Sequence, residues 1–465
     1  MTHWSSRSAL LVCAIALGSA GCAGVVGEPN APSVTGAGGG TVPAGNNGNA
    51  TGGGTGGSSN APVGAGGNSG TGSSTGATGG STAVAQGGAG GTTSGAGGAT
   101  SGTPDGGTGM VPESASVDPG SEGDGIRQIG PGFSASPDTM VKSGVPQGRV
   151  INFTIPAGSS KIYPRAPGRR VDVYVPSQYV MGTPAPVMVA QDRQFYGFTG
   201  LLQNTLNNLI AANKVPVMIA VIADNGGGDA VGSERGLEYD TVSGLYATFV
   251  DTELLPAVEA ATKAQLPMQA VTFTKDPEGR GTLGGSSSGA AAFSMAWWRP
   301  DLFRRVIAYS GTFVNQVPGS SPFPKGCWVY HDVDPYSAAM PNGLIVQHCE
   351  AVEPKYSGQV QPCDTPLSKA ACEAVTGCRW NTKENKPIRV WLASGTNDLG
   401  AGGGPQTYRN FHLANQRMAA ALQARGYHFH YDAAMGGGHV DGGVTRQTFP
   451  EALTWLWRGY KPNGQ

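Results

Sequence analysis

The sequence lacks aromatic and basic residues over most of its first quarter. No Phe, Trp or Tyr occurs in residues 5–132, and no Lys or Arg occurs between Arg7 and Arg127. Glycine supplies 33 of the 95 residues in the segment 31–125, and Thr, Ser, Ala and Asn fill most of the remainder. Such a composition cannot bury enough apolar surface to offset roughly 1–2 kcal/mol of backbone entropy per residue. We therefore predict a disordered, flexible tether over residues 22–131.

The chain also lacks an excess of charge of either sign. Its 465 residues include 30 basic and 31 acidic side chains, which gives a formal net charge of −1. A charge near zero gives no electrostatic reason to expect nucleic acid or an acidic membrane surface as a partner. No group of histidines and acidic residues has the spacing of a metal-ligand set, so neither a metal nor another cofactor is predicted.

The first 21 residues contain the apolar run SALLVCAIALG, which follows the positive charge of Arg7. The length of this run is typical of a signal-peptide core and too short to span a bilayer, which needs about 20 apolar residues. Cys22 then stands where a bacterial lipoprotein signal has its acylated cysteine, although Ser19 replaces the usual Leu. We predict a signal peptide at residues 1–21, export, and lipidation of Cys22. The alternative is ordinary cleavage that leaves this thiol free in a secreted protein.

Five of the seven cysteines lie in a segment, residues 326–386, that interrupts the pattern of the rest of the chain. They are Cys327, Cys349, Cys363, Cys372 and Cys378. Clustering of cysteines in an exported chain predicts disulfides, and no pair has the C-x-x-C spacing of a zinc site. Because five is odd, two bridges and one remaining thiol are expected. The sequence leaves the pairing open.

Residues 132–465 are long enough to form one large domain with a substantial core. RVDVYVP (Arg170–Pro176) is a predicted strand, LLQNTLNNLIAANK (Leu201–Lys214) a predicted helix, and VPVMIAVIADN (Val215–Asn225) the next strand. The same alternation continues to the end of the chain, except in the cysteine-rich segment. Continuous apolar strands alternating with helices predict an α/β fold, in which helices cover both faces of a mostly parallel sheet. The cysteine-rich segment is predicted to be an insert in this domain.

Three consecutive serines lie between a short apolar segment and a helix-forming run in GTLGGSSSGAAAF. Serine catalysis requires a sharp strand-to-helix turn with small neighbours, which is the physical content of the G-x-S-x-G pattern. One match, Gly72–Gly76, lies in the tether, where no strand or helix is predicted to hold it. The other is Gly285–Gly289. Within it, only Ser287 has one glycine two residues before it and another two residues after it. We predict Ser287 as the nucleophile, and a plain glycine-rich loop is the alternative.

Two downstream loops supply the partners that a nucleophilic serine needs. A base must take the proton of the hydroxyl, and a carboxylate must orient the base. ASGTNDLG places Asp398 just after a predicted strand, and MGGGHVDGG places His439 just after the last one. The order serine, acid, histidine is that of hydrolases with this fold, and catalytic groups collect where strands end. We predict the triad Ser287, Asp398 and His439. Capping of a turn is the alternative role for Asp398, and Asp441 is interpreted as a turn residue.

Acyl transfer also requires two amide donors for the developing oxyanion, each worth about 2.7–4 kcal/mol. We predict that one donor is the amide of Ser288, at the start of the helix after the nucleophile. The other is predicted in the loop after PVMVAQ, at Asp192 or Arg193.

Four spaced stretches together resemble the esterases of the esterase D type, which are α/β-hydrolases related to feruloyl, acetylxylan and siderophore esterases. They are RGLEYDTVSGLYATFVDTELLP, LGGSSSGAAAFSMAWWRPDLFRRVIAYSGTFVN, RVWLASGTNDLG and LANQRMAAALQARGYHFHYDAAMGGGH. The resemblance covers most of residues 148–460 outside the insert. It implies an α/β-hydrolase fold with Ser287 as nucleophile, His439 as base and Asp398 as acid.

The resemblance also implies that Arg235 and Glu238, in RGLEYD, lie near the substrate pocket. A structural ion pair is the alternative role for these two residues. Arg193 is a departure from the family, because relatives often have glycine after Gln-Asp. A side chain at this position would narrow or charge the oxyanion site.

These observations predict an exported serine esterase that forms an acyl-enzyme on a small-molecule or polysaccharide ester. Contact with a membrane is expected only through the lipid anchor. The sequence leaves two alternative functions open. One is a non-catalytic glycan-binding module on the same fold, with the insert as its recognition surface. The other is an acyltransferase that uses the same triad and passes the acyl group to a sugar.

Overall fold

The structure is a computed structural model, and it describes nine stretches of the chain. They are residues 118–193, 198–228, 233–241, 243–314, 348–351, 363, 369–381, 385–402 and 410–462. The predicted signal peptide, Cys22, the tether as far as residue 117 and most of the insert lie outside the described residues. Within the described part, no helix combines the length and the apolar character needed to cross a bilayer.

Strands and helices alternate through the described residues. The strands are β1 (Gly125–Ile129), β2 (Arg149–Ile155), β3 (Arg169–Val175), β4 (Pro184–Ala185), β5 (Val187–Gln191), β6 (Ile219–Ala223), β7 (Thr272–Phe273), β8 (Arg280–Gly285), β9 (Arg305–Tyr309), β10 (His348–Ala351), β11 (Cys378–Asn381), β12 (Arg389–Gly395) and β13 (Phe429–Ala434). The helices are α1 (Phe198–Ala211), α2 (Glu234–Tyr239), α3 (Leu245–Phe249), α4 (Leu255–Gln265), α5 (Ser287–Trp298), α6 (Lys369–Glu373), α7 (Phe411–Arg425) and α8 (Gly442–Trp457). One π-helical turn, Val250–Leu254, joins α3 to α4.

A central sheet combines nine of these strands in the order β1-β13-β12-β9-β8-β5-β6-β3-β2. The pairs from β1 to β6 along this order are parallel, and β3 and β2 add an antiparallel edge. The carboxyl ends of seven parallel strands therefore point to the same edge of the sheet. This architecture confirms the predicted mostly parallel sheet.

Apolar side chains cover both faces of the sheet. On β5, Val187 and Val189 belong to one core cluster, whereas Met188 and Ala190 belong to the other. The first cluster includes residues of α2, α3, α4, α5 and α7, and the second includes residues of α1 and α8. Strands buried on both faces read as continuous apolar runs rather than as alternating ones, which is the pattern of VMVAQ and IAVIA.

One strand of the central sheet lies before the predicted domain boundary at residue 132. Strand β1 lies inside the segment assigned to the tether and pairs with β13. Arg127 anchors it, because its guanidinium lies 2.8 Å from Asp432 Oδ1 and 2.8 Å from Glu451 Oε1. The strand was missed because its five residues, GIRQI, directly follow a glycine-rich tract and are only partly buried.

The described part of the insert contains the antiparallel pair β10–β11 and the short helix α6. A disulfide joins Cys363 to Cys378, and Cys372 is also disulfide-bonded. The prediction that the clustered cysteines form disulfides is therefore confirmed. Cys327 lies outside the described residues.

Candidate active site

Four non-glycine residues with positive φ follow the carboxyl ends of parallel strands. Asp192 (φ 62°) follows β5, Ser286 (φ 57°) follows β8 and Ser310 (φ 48°) follows β9. Val440 (φ 45°) lies in the loop after β13. Each such conformation costs of the order of 1–3 kcal/mol and persists only where the surroundings impose it. Four of the five non-glycine residues with positive φ in the described chain therefore lie at one edge of the sheet, and the fifth, Asn213 (φ 53°), follows α1.

The turn between β8 and α5 has Ser286 at its apex. This residue combines φ 57° with ψ −129° and is the N-cap of α5. Its amide donates to Tyr309 O at 2.9 Å, and its carbonyl accepts from Ala290 N at 3.1 Å. A Cβ at Gly284 would lie 2.0 Å from Ser288 O, so only glycine allows the strand to approach the helix this closely. The sharp turn therefore lies one residue before the serine that the sequence pattern selects.

The two serines that follow have buried hydroxyl groups. Ser287 is 4% exposed, and its Oγ donates to Asp240 Oδ2 at 3.2 Å. Ser288 is fully buried, and its Oγ donates to Gly285 O at 2.6 Å. The hydroxyl of Ser288 also accepts from the amide of Gly285 at 3.0 Å, so it stabilises the turn. By contrast, Ser286 is only partly buried, and its Oγ lies 3.4 Å from Thr312 Oγ1.

The predicted acid and base lie together in the structure. His439 Nδ1 and Asp398 Oδ1 are 2.6 Å apart, and the carboxylate side chain is fully buried. The carboxylate also accepts from Leu399 N at 2.7 Å. The imidazole packs against Phe411 at an interplanar angle of 84°, with ring centroids 5.0 Å apart. Because Nδ1 faces a carboxylate, it is the protonated nitrogen in the neutral ring, which makes Nε2 the proton acceptor.

The loop that carries His439 lies beside the serine turn. Val440 N donates to Ser310 Oγ at 2.9 Å. Two residues after Ser310, Thr312 N donates to Ser286 O at 3.0 Å. The segment after β9 therefore contacts both the histidine loop and the turn. No hydrogen bond joins the His439 ring to Ser286 or Ser287, all three of which the structure describes.

The predicted oxyanion loop is held by charged contacts of its side chains. Asp192 is fully buried, and its carboxylate accepts from Arg235 Nη2 at 2.6 Å and from Asn225 Nδ2 at 2.7 Å. Arg193 Nε lies 2.7 Å from Asp172 Oδ2. These contacts hold the loop backbone in place and compensate the charge that the sequence places at Arg193.

Helix α2 links this loop to the serine turn. Arg235, at its beginning, binds Asp192, and Asp240, at its end, accepts from Ser287. Between them, Glu238 forms a buried ion pair with Arg169, and its Oε2 accepts from Gly226 N at 2.8 Å. Burial raises the pKa of Glu238 above its ordinary value, against the effect of the Arg169 hydrogen bonds. Arg235 and Glu238 therefore both form ion pairs, each with a partner outside α2, and their predicted place near the substrate pocket stays a prediction.

The structure adds two residues that the sequence reasoning missed. Asp240 lies in the RGLEYD motif, two residues after Glu238, and this position was the available signal. Ser310 directly follows a strand in RRVIAYSG, but no pattern indicated its contact with the histidine loop. Asp441, which the sequence analysis interprets as a turn residue, is the N-cap of α8. No group of three or more metal-ligating side chains occurs among the described residues.

The chain matches a known family over more than half of its length. Residues 167–456 match the profile of the esterase family described as "Putative esterase". The comparison with curated proteins finds no match.

Several solved structures are similar to this chain at low identity. A ferulic acid esterase has 18% identity and a TM-score of 0.40, with 68% of this chain and 100% of that chain covered. A CE1 ferulic acid esterase from Anaeromyces mucronatus, in complex with ferulic acid, has 14% identity and a TM-score of 0.43, with 70% and 97% covered. Enterobactin esterase FES from Shigella flexneri has 16% identity and a TM-score of 0.42, with 69% and 61% covered. The family match spans more than half of the sequence, so this chain belongs to the esterase family and is a carboxylic ester hydrolase of the α/β-hydrolase type.

Proposed function

We propose that this protein is an exported serine esterase in which Ser286 attacks the ester carbonyl. His439 is the general base and Asp398 orients its ring. The observation that carries the proposal is the φ 57°, ψ −129° turn at Ser286, which projects from the same sheet edge as the His439–Asp398 pair. A nucleophilic serine on a strained strand-to-helix turn exposes its Oγ to substrate, as this chemistry requires.

Ser287, which the glycine pattern selects, is the alternative nucleophile. Two contacts favour Ser286 over it. The hydroxyl of Ser287 is buried and directed to the carboxylate of Asp240, whereas the hydroxyl of Ser286 is partly exposed beside Thr312. Ser286 has Gly284 two residues before it but Ser288 two residues after it, so it fits only the first half of the glycine pattern.

The reaction proceeds in two steps. The Oγ of Ser286 forms a bond to the carbonyl carbon while its proton moves to His439 Nε2, and the tetrahedral intermediate then expels the alcohol, which takes that proton. Water next adds to the acyl-enzyme, gives a proton to His439 and releases the acid, and the proton returns to Ser286. The structure describes both Ser286 and the His439 ring and shows no hydrogen bond between them, and the proposal requires that one forms when substrate is bound.

The oxyanion donors follow from the choice of nucleophile. With Ser286 as nucleophile, the donor on the helix side is the amide of Ser287, the first residue of α5. With Ser287 as nucleophile it is the amide of Ser288. In both cases the second donor is an amide of the loop at Asp192 or Arg193, which the ion pairs with Arg235 and Asp172 hold in place.

The substrate that we propose is an extracellular ester, with polysaccharide esters as the leading class. The apolar run before Cys22 supports export, and a glycine-rich tether after a lipid anchor would let the catalytic domain reach an insoluble substrate. Transfer of the acyl group to a sugar uses the same residues, and product analysis with and without sugar acceptors separates it from hydrolysis.

A fluorophosphonate probe with peptide mapping tests the assignment of the nucleophile. We expect labelling of the wild type and of Ser287→Ala, and none of Ser286→Ala. Hydrolysis of p-nitrophenyl acetate should fall about 10⁴-fold or more in Ser286→Ala. The opposite result for the two variants would assign Ser287. Unchanged hydrolysis in both would discard the serine mechanism.

A further inference from the structure

The opposite edge of the sheet, where the parallel strands begin, contains a cluster of arginines. Strands β8, β9 and β12 begin with Arg280, Arg305 and Arg389. Arg305 and Arg389 are direct register partners on neighbouring strands, so two cations lie side by side. A cavity of about 340 Å³ opens here, and Lys386 and His428 also contribute to its lining.

Most of the arginines around this cavity have partners. Arg305 donates to Glu278 O at 2.7 Å and to Glu278 Oε2 at 3.0 Å, and it also donates to Leu456 O. Arg304 donates to Glu278 Oε1 at 3.1 Å. Both carboxylate oxygens of Glu278, an acid that lines the cavity, are therefore engaged by other arginines.

Arg389 differs from its neighbours. Its side chain is 8% exposed, and its Nε, Nη1 and Nη2 make no hydrogen bond within the described structure. Its shortest approach to a carboxylate is 4.0 Å, to Asp124 Oδ1, and Asp124 Oδ2 lies 2.7 Å from His428 Nδ1. The guanidinium packs against the Trp455 ring, 3.9 Å from its centroid. Aromatic packing compensates part of the charge but satisfies none of its N–H donors.

The surroundings of Arg389 favour an anion. Burial, together with repulsion from Arg458 and Arg305, lowers the pKa of Arg389 to about 10, so the group is still charged at neutral pH. A buried guanidinium without hydrogen-bond acceptors is strongly disfavoured, and an oxyanion presents acceptors that match the arginine fork. The other acid that lines the cavity, Asp118, has a side chain that is 77% exposed and can point to water.

We propose that this cavity is a second binding site, separate from the catalytic edge, for a small molecule with a phosphate, sulfate or carboxylate group. Arg389 provides the fork that binds the oxyanion. Lys386 also lines the cavity, but its ammonium lies 4.9 Å from the centroid of the Trp297 ring, so the assigned ligand contact is that of Arg389. The volume lies within the usual range for small-molecule sites, so an organic anion fits as well as a free inorganic ion. Pro387, Ile388 and Tyr427 give the cavity an apolar wall for the rest of such a ligand.

Isothermal titration at fixed ionic strength tests this proposal with inorganic phosphate in one arm and a hexose phosphate in the other. We expect one equivalent to bind the wild type in at least one arm, and at least tenfold weaker binding to Arg389→Gln. Arg165→Gln is the matched control, because it removes the same charge from an exposed residue outside the cavity and should bind like the wild type. Tighter binding of the hexose phosphate would identify an organic ligand, and equal binding an inorganic one.

Arg389→Lys provides a second variant in case the glutamine variant does not fold. It keeps the charge and loses the planar fork, so binding should weaken at least threefold. Absence of heat in both arms, or equal binding by the wild type and both Arg389 variants, would overturn the proposal. The catalytic variant Ser286→Ala should bind the anion like the wild type, so the outcome does not depend on the assignment of the esterase nucleophile.

Discussion

The two edges of the central sheet differ in which of their groups is in an energetically unfavourable state. At one edge it is the backbone, and at the other it is a charged side chain. At the carboxyl edge, four non-glycine residues have positive φ, namely Asp192, Ser286, Ser310 and Val440, whereas the described part of the amino edge has one, Asn213, in the connection from α1 to β6. At the carboxyl edge, the buried carboxylates of Asp192 and Asp398 are paired with Arg235 and His439. At the amino edge, the guanidinium of Arg389 is buried without a hydrogen bond in the described structure.

This difference indicates two kinds of site. A strained backbone holds reacting groups and amide donors in fixed positions, which suits a reaction whose transition state needs precise geometry. A buried cation without acceptors stores electrostatic free energy that a ligand releases on binding, which suits recognition. Experiments that disturb one edge and leave the other intact therefore test whether the two edges have separate functions.

The largest effect is expected at the His439–Asp398 pair. Asp398→Asn should lower kcat/KM for p-nitrophenyl acetate about 10⁴-fold, because an amide no longer holds the imidazole in the tautomer that accepts the serine proton. The measurement is steady-state hydrolysis at pH 7 to 8. Asp124→Asn is the matched control at the other edge, since Asp124 also contacts a histidine, His428, at 2.7 Å. The control should change the rate less than twofold.

An equal loss of activity in both variants would show that the two edges are coupled. In that case, loss of a carboxylate would act through general destabilisation of the sheet. Circular dichroism melting of both variants would separate this outcome from a local effect at the triad.

The next largest effect is expected from the buried pair Arg235–Asp192. Arg235→Met leaves a fully buried carboxylate with Asn225 as its remaining described partner, which should lower the free energy of unfolding by about 3–5 kcal/mol. Urea unfolding followed by tryptophan fluorescence measures this change. The control is Arg165→Met, whose pair with Glu234 is exposed on the arginine side, and the expected cost there is about 0–1 kcal/mol. Similar costs for the two variants would contradict the assigned role of α2 in holding the oxyanion loop.

The sequence was sufficient to predict the sheet and the carboxyl edge, because apolar runs and loop positions are local properties. Asp398 and His439 were predicted to lie together because each follows a predicted strand. In the structure, Asp398 Oδ1 and His439 Nδ1 are 2.6 Å apart. The apex of the serine turn could not be predicted, because the glycine pattern fits only Ser287, whereas the positive φ falls on Ser286, which has a serine in place of the second glycine.

Contacts between segments that are distant in the sequence could not be predicted either. Arg169 and Glu238 lie 69 positions apart, and nothing local to either residue indicates that they pair. The lack of hydrogen bonds at Arg389 in the described structure is still harder to predict. It depends on Arg304 and Arg305, which occupy both carboxylate oxygens of Glu278. Strand β1 was missed for a different reason, since its short sequence carries little apolar signal.

The smallest effect is expected at Asp441, whose carboxylate supports the loop of His439. It accepts from Gly443 N at 2.7 Å, Val444 N at 3.1 Å and Gly438 N at 3.1 Å. Asp441→Ala should therefore cost about 0.5–2 kcal/mol of stability. Asp441→Asn should cost only about 0.3–1 kcal/mol, because asparagine also caps helices and only the interaction of the charge with the helix dipole is lost.

The pH dependence of this small effect separates the charge from the cap. Burial raises the pKa of Asp441, but the three amide bonds outweigh it and hold the pKa below its ordinary value of 3.8. The charge therefore adds stability above the unfolded pKa, and this contribution is lost as the pH falls through the lower folded value. Urea unfolding should show the wild type to be more stable than Asp441→Asn at pH 7, with the difference shrinking below about pH 4. A difference that stays constant down to pH 3 would mean that packing, and not the charge, holds this part of the carboxyl edge.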